Sequence, residues 1–325
     1  MSIRSRIKKV SGGSSAPETG FGTISNASQQ RLLNKDGTAN IVRLGERRFK
    51  LINIYHALIM MSWTKFTIIV FTSYIIVNLI FTSLYMMAGM DHIQGMIFQS
   101  TYEKFWEVFF FSAQTLTTVG YGRLNPSGMT ASTIAALESF TGLLGFALAT
   151  GLLYGKFSRP TAKLIYSENA LMSPYKHPKY NNAEMYGLMF RVANARSNQL
   201  IEIEAQVLFS FNQEKDGAII RNFRVLDLEI AKVSYLTLSW TIVHPITEQS
   251  PLYGLTSDDI KAMDAEFMIN LKAIDDGYST QVYSRSSYMA DEVVFNAKFV
   301  SAISKMDNGI SSVDLRMISK FEKLS

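Results

Sequence analysis

The sequence of 325 residues contains no cysteine, which excludes disulfide bonds, cysteine-ligated zinc, iron–sulfur clusters and thiol nucleophiles. Histidine is scarce, and its four copies, at positions 56, 92, 177 and 244, do not have the spacing of metal ligands. The sequence also shows no nucleophile–base arrangement and no phosphate-binding glycine loop, so an enzyme is disfavoured. Residues 1–20 begin with basic residues but lack the apolar stretch of a secretory signal, and they are expected to form a cytosolic tail.

Charged residues are few, at 18%, and hydrophobic residues make up 47% of the chain. This composition is too apolar for a disordered chain and too polar for one that lies wholly in lipid, so any membrane part is a minority. Basic residues outnumber acidic ones by only five, 32 against 27. The meaning of this excess depends on where the basic residues lie.

Two apolar runs are long enough to cross a bilayer. Residues 66–88 comprise 23 uncharged residues and would extend about 35 Å as a helix, against a hydrocarbon core of about 30 Å. Residues 129–157 hold a single carboxylate and exceed the length that a bilayer requires. Basic residues cluster outside the two runs, whereas the connection 89–127 contains only Lys104 and Arg123. The positive-inside rule therefore predicts two spans with both termini in the cytoplasm.

Residues 51–63 are apolar on most faces but lie between a dense basic run and Lys65. This pattern predicts an interfacial helix at the headgroups, anchored by Trp63. The alternative is a simple extension of the first span. After Pro160 the pattern changes to short segments rich in Val, Ile and Phe, separated by turn residues. An all-β sandwich is predicted, with strands at 185–194, 201–211, 235–244, 265–274 and 292–302.

The connection between the spans carries the strongest functional signal. The apolar segment 105–112 is too short to span a bilayer and leads directly into 113–122, AQTLTTVGYG. A short helix that enters the membrane and returns is a pore helix. TVGYG is the general signature of a potassium selectivity filter, in which backbone carbonyls bind the ion. The predicted filter residues are Thr117, Thr118, Val119, Gly120, Tyr121 and Gly122.

Four copies of residues 118–122 around an axis would point backbone carbonyls inward and replace the hydration shell of K⁺. The ions would be held by the carbonyls of Thr118, Val119, Gly120 and Tyr121, and no other cofactor is expected. A chance match in a soluble strand is the alternative, but it would also have to fall between two spans and after a short apolar helix.

Four further segments resemble motifs of one channel family. They are 34–41 (Lys-Lys-Asp-Gly-x-x-Asn-Val in the family), 188–196 (Leu-Met-Trp-Arg-Val-Gly-Asn-Leu-Arg), 244–253 (His-Glu-Ile-Asp-Glu-Asp-Ser-Pro-Leu-Tyr) and 285–292 (Arg-Ser-Ser-Tyr-Leu-Ala-Asp-Glu). With the filter, they make the chain resemble the inward-rectifier potassium channel family over roughly residues 31–305. The resemblance implies a homotetramer with an immunoglobulin-like cytoplasmic domain that extends the pore inward.

Several departures from the animal members of this family point to its bacterial branch. The family's pore-helix glutamate, which pairs with an arginine after the filter, is Gln114 here, and Arg123 follows the filter directly, so the filter must be braced differently. The family's rectification position is Phe146, which offers no charge to a blocking cation. The acidic residue of the cytoplasmic pore matches Glu202, and a second such acid falls near Ile274.

These positions predict weak intrinsic rectification, in which voltage drives internal polyamines or magnesium ions into the pore as blockers. Along the second span, the predicted pore-lining and gate residues are Gly142, Phe146, Thr150 and Tyr154. Tyr154 matches the bulky residue that the family uses at its gate, where a ring of side chains could exclude water. Helix geometry turns Glu138 toward the pore helix, where a structural role is preferred over a charge in the cavity.

Basic residues near the inner leaflet are candidates for contact with anionic lipid: Arg47, Arg48, Lys50, Lys156, Arg159 and Lys163. A headgroup that bridged the residues before the first span and those after the second would bias the gate by its differential affinity for the open and closed arrangements. The family's polybasic stretch is reduced here, and the alternative is that these residues have only a topological role.

The sequence thus predicts a membrane α plus all-β protein with four parts: a tail with a short strand at 1–45, an interfacial helix at 46–64, a pore domain at 65–158 and a β-sandwich gating domain at 159–325. It is expected to be a potassium-selective homotetramer in the plasma membrane, with potassium ions and anionic lipids as ligands and no nucleic-acid partner. Two alternatives stay open: a poorly selective cation channel, and a membrane-tethered β-sandwich receptor whose spans only anchor it.

Overall fold

The computed structural model describes residues 31–41, 51–97, 100–158, 162–177, 183–215, 218–305 and 311–324. These residues fall into two compact units. The first unit lies within residues 51–158, and the second combines 31–41 with the described residues from 162 onward. Most of the predicted N-terminal tail lies outside the described residues, as do the candidate lipid contacts Arg47, Arg48, Lys50 and Arg159.

Four helices form the first unit: α1 (Leu51–Met60), α2 (Trp63–Ala88), α3 (Thr101–Leu116) and α4 (Gly128–Phe157). Helices α2 and α4 have 26 and 30 residues, about 39 and 45 Å, and each is long and apolar enough to cross a membrane. Many of their apolar side chains, such as Phe71 and Leu148, are exposed in the single chain. Such surfaces suit lipid or a protein neighbour, and both predicted spans are confirmed as long apolar helices.

Helix α1 is separate from α2, because Met61 and Ser62 interrupt the helical backbone. Ser62 is extended, with φ −60° and ψ 152°, so the chain can change direction at this point. A simple helical extension of the first span therefore does not describe residues 51–63. The location of α1 at the headgroups stays a prediction.

Helix α3 contains the predicted pore-helix segment 105–112. Its 16 residues extend about 24 Å, less than the thickness of a hydrocarbon core. It contacts both α2 and α4, and the ring of Phe111 packs against Tyr85 at a centroid distance of 5.2 Å. On either side of α3, strands β1 (Ile93–Gln94) and β2 (Asn125–Pro126) pair with each other and hold the two ends of the connection together.

The second unit consists largely of strands. In chain order they are β3 (Leu164–Tyr166), β4 (Ala170–His177), β5 (Ala183–Asn194), β6 (Leu200–Lys215), β7 (Ala218–Leu226), β8 (Lys232–Tyr235), β9 (Ser239–Ile246), β10 (Glu266–Asp275), β11 (Thr280–Met289), β12 (Val293–Phe295), β13 (Ala297–Phe299), β14 (Ile303–Lys305), β15 (Ser311–Val313) and β16 (Phe321–Lys323). A short helix, α5 (Ser257–Ala262), precedes β10.

Ten of these strands form two five-stranded sheets that share one core, while β13 pairs with β16 and β14 pairs with β15. One sheet has the order β11-β10-β6-β7, with β8 also on β6, and the other has the order β12-β4-β5-β3, with β9 also on β5. Phe209, Phe211 and Phe267 of the first sheet lie in one buried cluster with Val192 and Ile242 of the second. This arrangement confirms the predicted β-sandwich.

The predicted strands correspond to β5, β6, β9 with the end of β8, β10, and β12 with β13. The last prediction spans two strands because Asn296 has a positive φ of 52° and interrupts them. Strands β3, β4, β7, β11 and β14 to β16 were not predicted. Strand β11 has the sequence TQVYSRSSYM, whose polar pattern conceals that Ser286 and Ser287 are buried. Their hydroxyls donate to the carbonyls of Lys35 and Leu33.

Residues 31–41 are bound tightly to the sandwich. The backbone N–H groups of Leu32 and Leu33 donate to the carboxylate of Glu266 at 2.9 and 3.0 Å. Glu266 is fully buried and also accepts from Arg221 at 3.1 Å. Burial lowers the pKa of Arg221, and the nearby carboxylate of Glu266 opposes that shift. The N-terminal segment is therefore an integral part of the second unit.

Candidate ion pathway and filter

The predicted filter follows the last turn of α3 and has an alternating backbone. Thr118, Gly120 and Gly122 have positive φ values of 59°, 52° and 82°. In a regular strand, successive peptide groups face opposite sides, so turning every second residue brings the carbonyls toward one side. A β-branched residue such as Thr118 adopts positive φ at a cost of about 1–3 kcal/mol, and such strain is typical of functional sites.

The first residues of the predicted filter are held by the C-terminal end of α3. The N–H groups of Val119 and Thr118 donate to the carbonyls of Gln114 and Thr115 at 2.9 and 3.1 Å. Gln114 therefore contributes to the filter through its backbone. On the other side of the segment, Tyr121 is 80% exposed in the single chain, so the filter is not enclosed by its own subunit.

The residue that follows the predicted filter pairs with a carboxylate whose role the sequence did not reveal. Arg123 donates to Glu107 of α3 at 2.7 Å, and Glu107 also accepts from the N–H of Ile97 at 3.2 Å. The Glu107 side chain is only 4% exposed, whereas Arg123 is 49% exposed. Gln114 cannot form the ion pair that the family's pore-helix glutamate makes with an arginine after the filter. The pair of Arg123 and Glu107 is the candidate for the different brace. A signal existed in the sequence: Glu107 is the one charged residue in the apolar segment 105–112.

Phe146, Thr150 and Tyr154 follow each other at intervals of four residues and so lie along one side of α4. All three are exposed in the single chain, as residues that line a pore between subunits would be. Gly142 differs from them, because its backbone packs against Leu116 at the end of α3. A β-carbon at this position would come within 1.9 Å of the Leu116 carbonyl oxygen.

Glu138 is fully buried between three helices. Tyr85 of α2 and Ser112 of α3 each donate a hydroxyl hydrogen bond to its carboxylate. The prediction that Glu138 faces the pore helix is confirmed. A charge directed into the cavity does not describe this chain.

Lys156, a candidate lipid contact, already has partners within its own chain. Its ammonium group donates to the carbonyls of Ile59 and Met61 at the end of α1 and lies 5.1 Å from the ring centre of Trp63. Lys163 is exposed in the second unit. Lys156 therefore links the C-terminal end of α4 to the corner between α1 and α2.

Glu202 lies at an irregular point of β6, where its φ is 52° and the register with β10 shifts between Lys272 and Ile274. Its carboxylate forms an ion pair with Lys232 of β8. The hydrogen bond and charge of Glu202 raise the pKa of Lys232, and Glu204 adds to this effect. The predicted cytoplasmic-pore acid is thus partly neutralised by a lysine that the sequence pattern did not single out.

The histidine of the 244–253 motif is a core residue. The Nδ1 of His244 donates to the carbonyl of Asp227 at 2.6 Å, and its Nε2 accepts from Ser250 at 2.7 Å. Burial lowers the pKa of His244, which favours the neutral ring that this pattern requires. Among the described residues, no group of His, Asp and Glu is arranged to hold a metal ion.

Comparison with known proteins agrees with this geometry. The sequence profile of the inward rectifier potassium channel transmembrane domain matches residues 33–160, and that of the C-terminal domain matches residues 167–325. The inward rectifier potassium channel Kirbac3.1 of Paramagnetospirillum magnetotacticum is 33% identical over 301 residues, which cover 92% of this chain and 97% of that protein.

More distant relatives include G protein-activated inward rectifier potassium channels 2 and 4 of Mus musculus, which are 24% and 25% identical. Each alignment covers 88% of this chain, and 70% and 71% of the two relatives. Among solved structures, the sporulation control protein Spo0M of Bacillus subtilis aligns at 15% identity over 42% of this chain and 50% of that one. The TM-score of 0.22 is too low to indicate a shared fold.

Two profiles that together match most of the chain, and a bacterial relative aligned over nearly its whole length, lead to one assignment. This chain belongs to the inward rectifier potassium channel family, whose members are membrane ion channels and not enzymes.

Proposed function

We propose that four copies of this chain form a potassium-selective channel in which the 118–122 segments surround a common axis. The observation that carries this proposal is the filter backbone, with positive φ at every second residue and Tyr121 exposed in the single chain. A K⁺ ion that loses its hydration shell needs oxygen ligands on all sides, and one chain supplies them from one side only. Four chains complete the shell.

The gate is placed at the inner end of α4. Rings of Tyr154 and Phe146 around the axis would form two apolar constrictions, and a narrow apolar ring blocks ions by excluding water. The exposure of both side chains along one side of α4 supports this placement. Thr150 lies between them and would line the pathway.

Rectification is proposed to be weak. An internal polycation that voltage drives outward into the pore is held there by carboxylates, and Phe146 provides none. Glu202 would face the cytoplasmic pathway with Lys232 beside it, which reduces the attraction for polyamines or magnesium ions. The cytoplasmic sandwich contributes to gating through the segment 31–41, which is bound to it and precedes the membrane helices in the chain.

The channel is proposed to lie in the plasma membrane with both termini in the cytoplasm, because basic residues flank the two spans. Anionic lipids are proposed to act at the inner leaflet, at Lys163 and at Arg47, Arg48, Lys50 and Arg159, which lie outside the described residues. The contacts of Lys156 with α1 support a role for it in coupling α1 to α4.

The test is a bilayer recording from purified protein with potassium on one side and sodium on the other. A reversal potential close to that of potassium supports the proposal, and Gly120→Ala should abolish the preference, because only the carbonyl cage is altered. A reversal potential near zero would favour a poorly selective cation channel. Absence of current from a well-assembled protein would favour a tethered receptor. A wild-type preference in Gly120→Ala would remove the filter assignment.

A further inference from the structure

The interior of the pore unit contains a cluster of buried polar side chains where apolar packing is the rule. Asn78 and Tyr85 of α2, Ser112 of α3 and Glu138 of α4 are each no more than 1% exposed. Buried polar groups are costly unless their hydrogen bonds are made, so this cluster has a definite geometry. It joins the three helices that surround the base of the filter.

Hydrogen bonds converge on the carboxylate of Glu138. Tyr85 donates to one oxygen at 2.7 Å, and Ser112 donates to the other. The Ser112 oxygen also lies 3.1 Å from the side-chain oxygen of Asn78 and 3.3 Å from its carbonyl. The Ser112 hydroxyl has one hydrogen, so it can donate either to Glu138 or to an oxygen of Asn78, but not to both. Of these acceptors, the carboxylate of Glu138 is the one that joins α3 to α4.

The next turn of both helices is also in contact. Residues four apart lie on the same side of a helix, so Leu116 is below Ser112 and Gly142 is below Glu138. The Leu116 carbonyl packs on the Gly142 backbone, at a place where a β-carbon would come within 1.9 Å of it. Two successive turns of α3 are thus fixed against two successive turns of α4.

The same stretch of α3 supports the filter directly. The carbonyls of Gln114 and Thr115, which lie between Ser112 and Leu116, accept the N–H groups of Val119 and Thr118. A displacement of this stretch therefore moves the filter backbone with no intervening side chain. Ion discrimination depends on the positions of those carbonyls.

We propose that Glu138 is a positioning residue for the selectivity filter, which acts by hydrogen bonding through Ser112 on the end of the pore helix. This inference rests on the proposed channel function. It assigns to a carboxylate within the second span an effect on ion selection, although Glu138 does not touch the ion.

The test compares K⁺ over Na⁺ permeability ratios, from reversal potentials of the full-length protein in planar bilayers, for three substitutions. Glu138→Leu removes both acceptors and should lower the ratio about tenfold, equivalent to ~1.4 kcal/mol. Ser112→Ala should lower it at least threefold. Glu138→Gln should retain the permeability ratio within twofold. The side-chain carbonyl of the glutamine can accept from Tyr85, and its amide can donate to the Ser112 oxygen. The Ser112 hydrogen then turns to an oxygen of Asn78.

Ser83→Ala is the matched control. Among the described residues, the Ser83 hydroxyl bonds within its own helix, to the carbonyl of Leu79, so its loss should leave the ratio unchanged. Should Glu138→Leu not assemble, Ser112→Ala decides. Unchanged selectivity in Ser112→Ala would overturn the proposal. An equal loss of selectivity in Glu138→Gln and Glu138→Leu would also overturn it, because the charge of Glu138 and not its hydrogen bonds would then determine selectivity. A native protein without potassium preference would instead refute the proposed function.

Discussion

The ion pair between Glu107 and Arg123 allows a prediction about the order of two single mutants. Removing Arg123, in Arg123→Gln, leaves the carboxylate of Glu107 buried with one partner fewer, and breaking a pair in this way costs about 3–5 kcal/mol when both groups are buried. Because Arg123 is half exposed, water recovers part of that cost, and we expect about 2–3 kcal/mol. Glu107→Gln leaves Arg123 able to reach water and keeps an acceptor for Ile97, so we expect about 1 kcal/mol.

The measurement is the stability of the assembled channel in detergent with potassium, followed by thermal dissociation, together with the K⁺ over Na⁺ permeability ratio. Arg123→Gln should be the more damaging single mutant in both. The double mutant should be less stable than native by less than the sum of the two, with a coupling of about 1–2 kcal/mol. Equal effects, or a larger effect of Glu107→Gln, would show that the outer end of the filter is not braced by this pair.

Three further predictions concern the gate, rectification and the inner leaflet. Tyr154→Ala should raise basal potassium flux into proteoliposomes severalfold by widening the inner ring, and unchanged flux with normal assembly would place the gate elsewhere. Lys232→Gln should deepen spermine block of outward current, because the charge of Glu202 is then no longer paired with a lysine. Adding Glu202→Gln should cancel this deepening. Spermine block that is unchanged in both mutants would show that Glu202 does not line the pathway. Lys156→Gln should change potassium flux at least twofold even in vesicles of neutral lipid, because the mutant loses the hydrogen bonds to the end of α1. If Lys156 only bound anionic lipid, its replacement would leave the flux in neutral vesicles unchanged.

Local features of the sequence were sufficient to predict the two long apolar helices, the short helix between them and about half of the strands of the sandwich. An uncharged run such as 66–88 must satisfy its backbone internally in lipid, and only a helix does so within one segment. The filter signature is equally local, because its function depends on consecutive backbone carbonyls and on glycines that tolerate positive φ. Strand β11, which was missed, buries serines whose partners are carbonyls of residues 31–41, about 250 positions earlier.

The partners of charged and polar side chains were decided by tertiary structure. Nothing in the spacing of Glu107 and Arg123, or of Glu202 and Lys232, shows that they meet, because the two members of each pair lie in different segments whose packing is not encoded locally. Helix geometry could turn Glu138 toward the pore helix, but it could not supply Tyr85 and Ser112 as donors, which come from two other helices. Sequence periodicity specifies which face of an element is buried, whereas the hydrogen-bond partner of a buried group depends on which elements pack together and in what register.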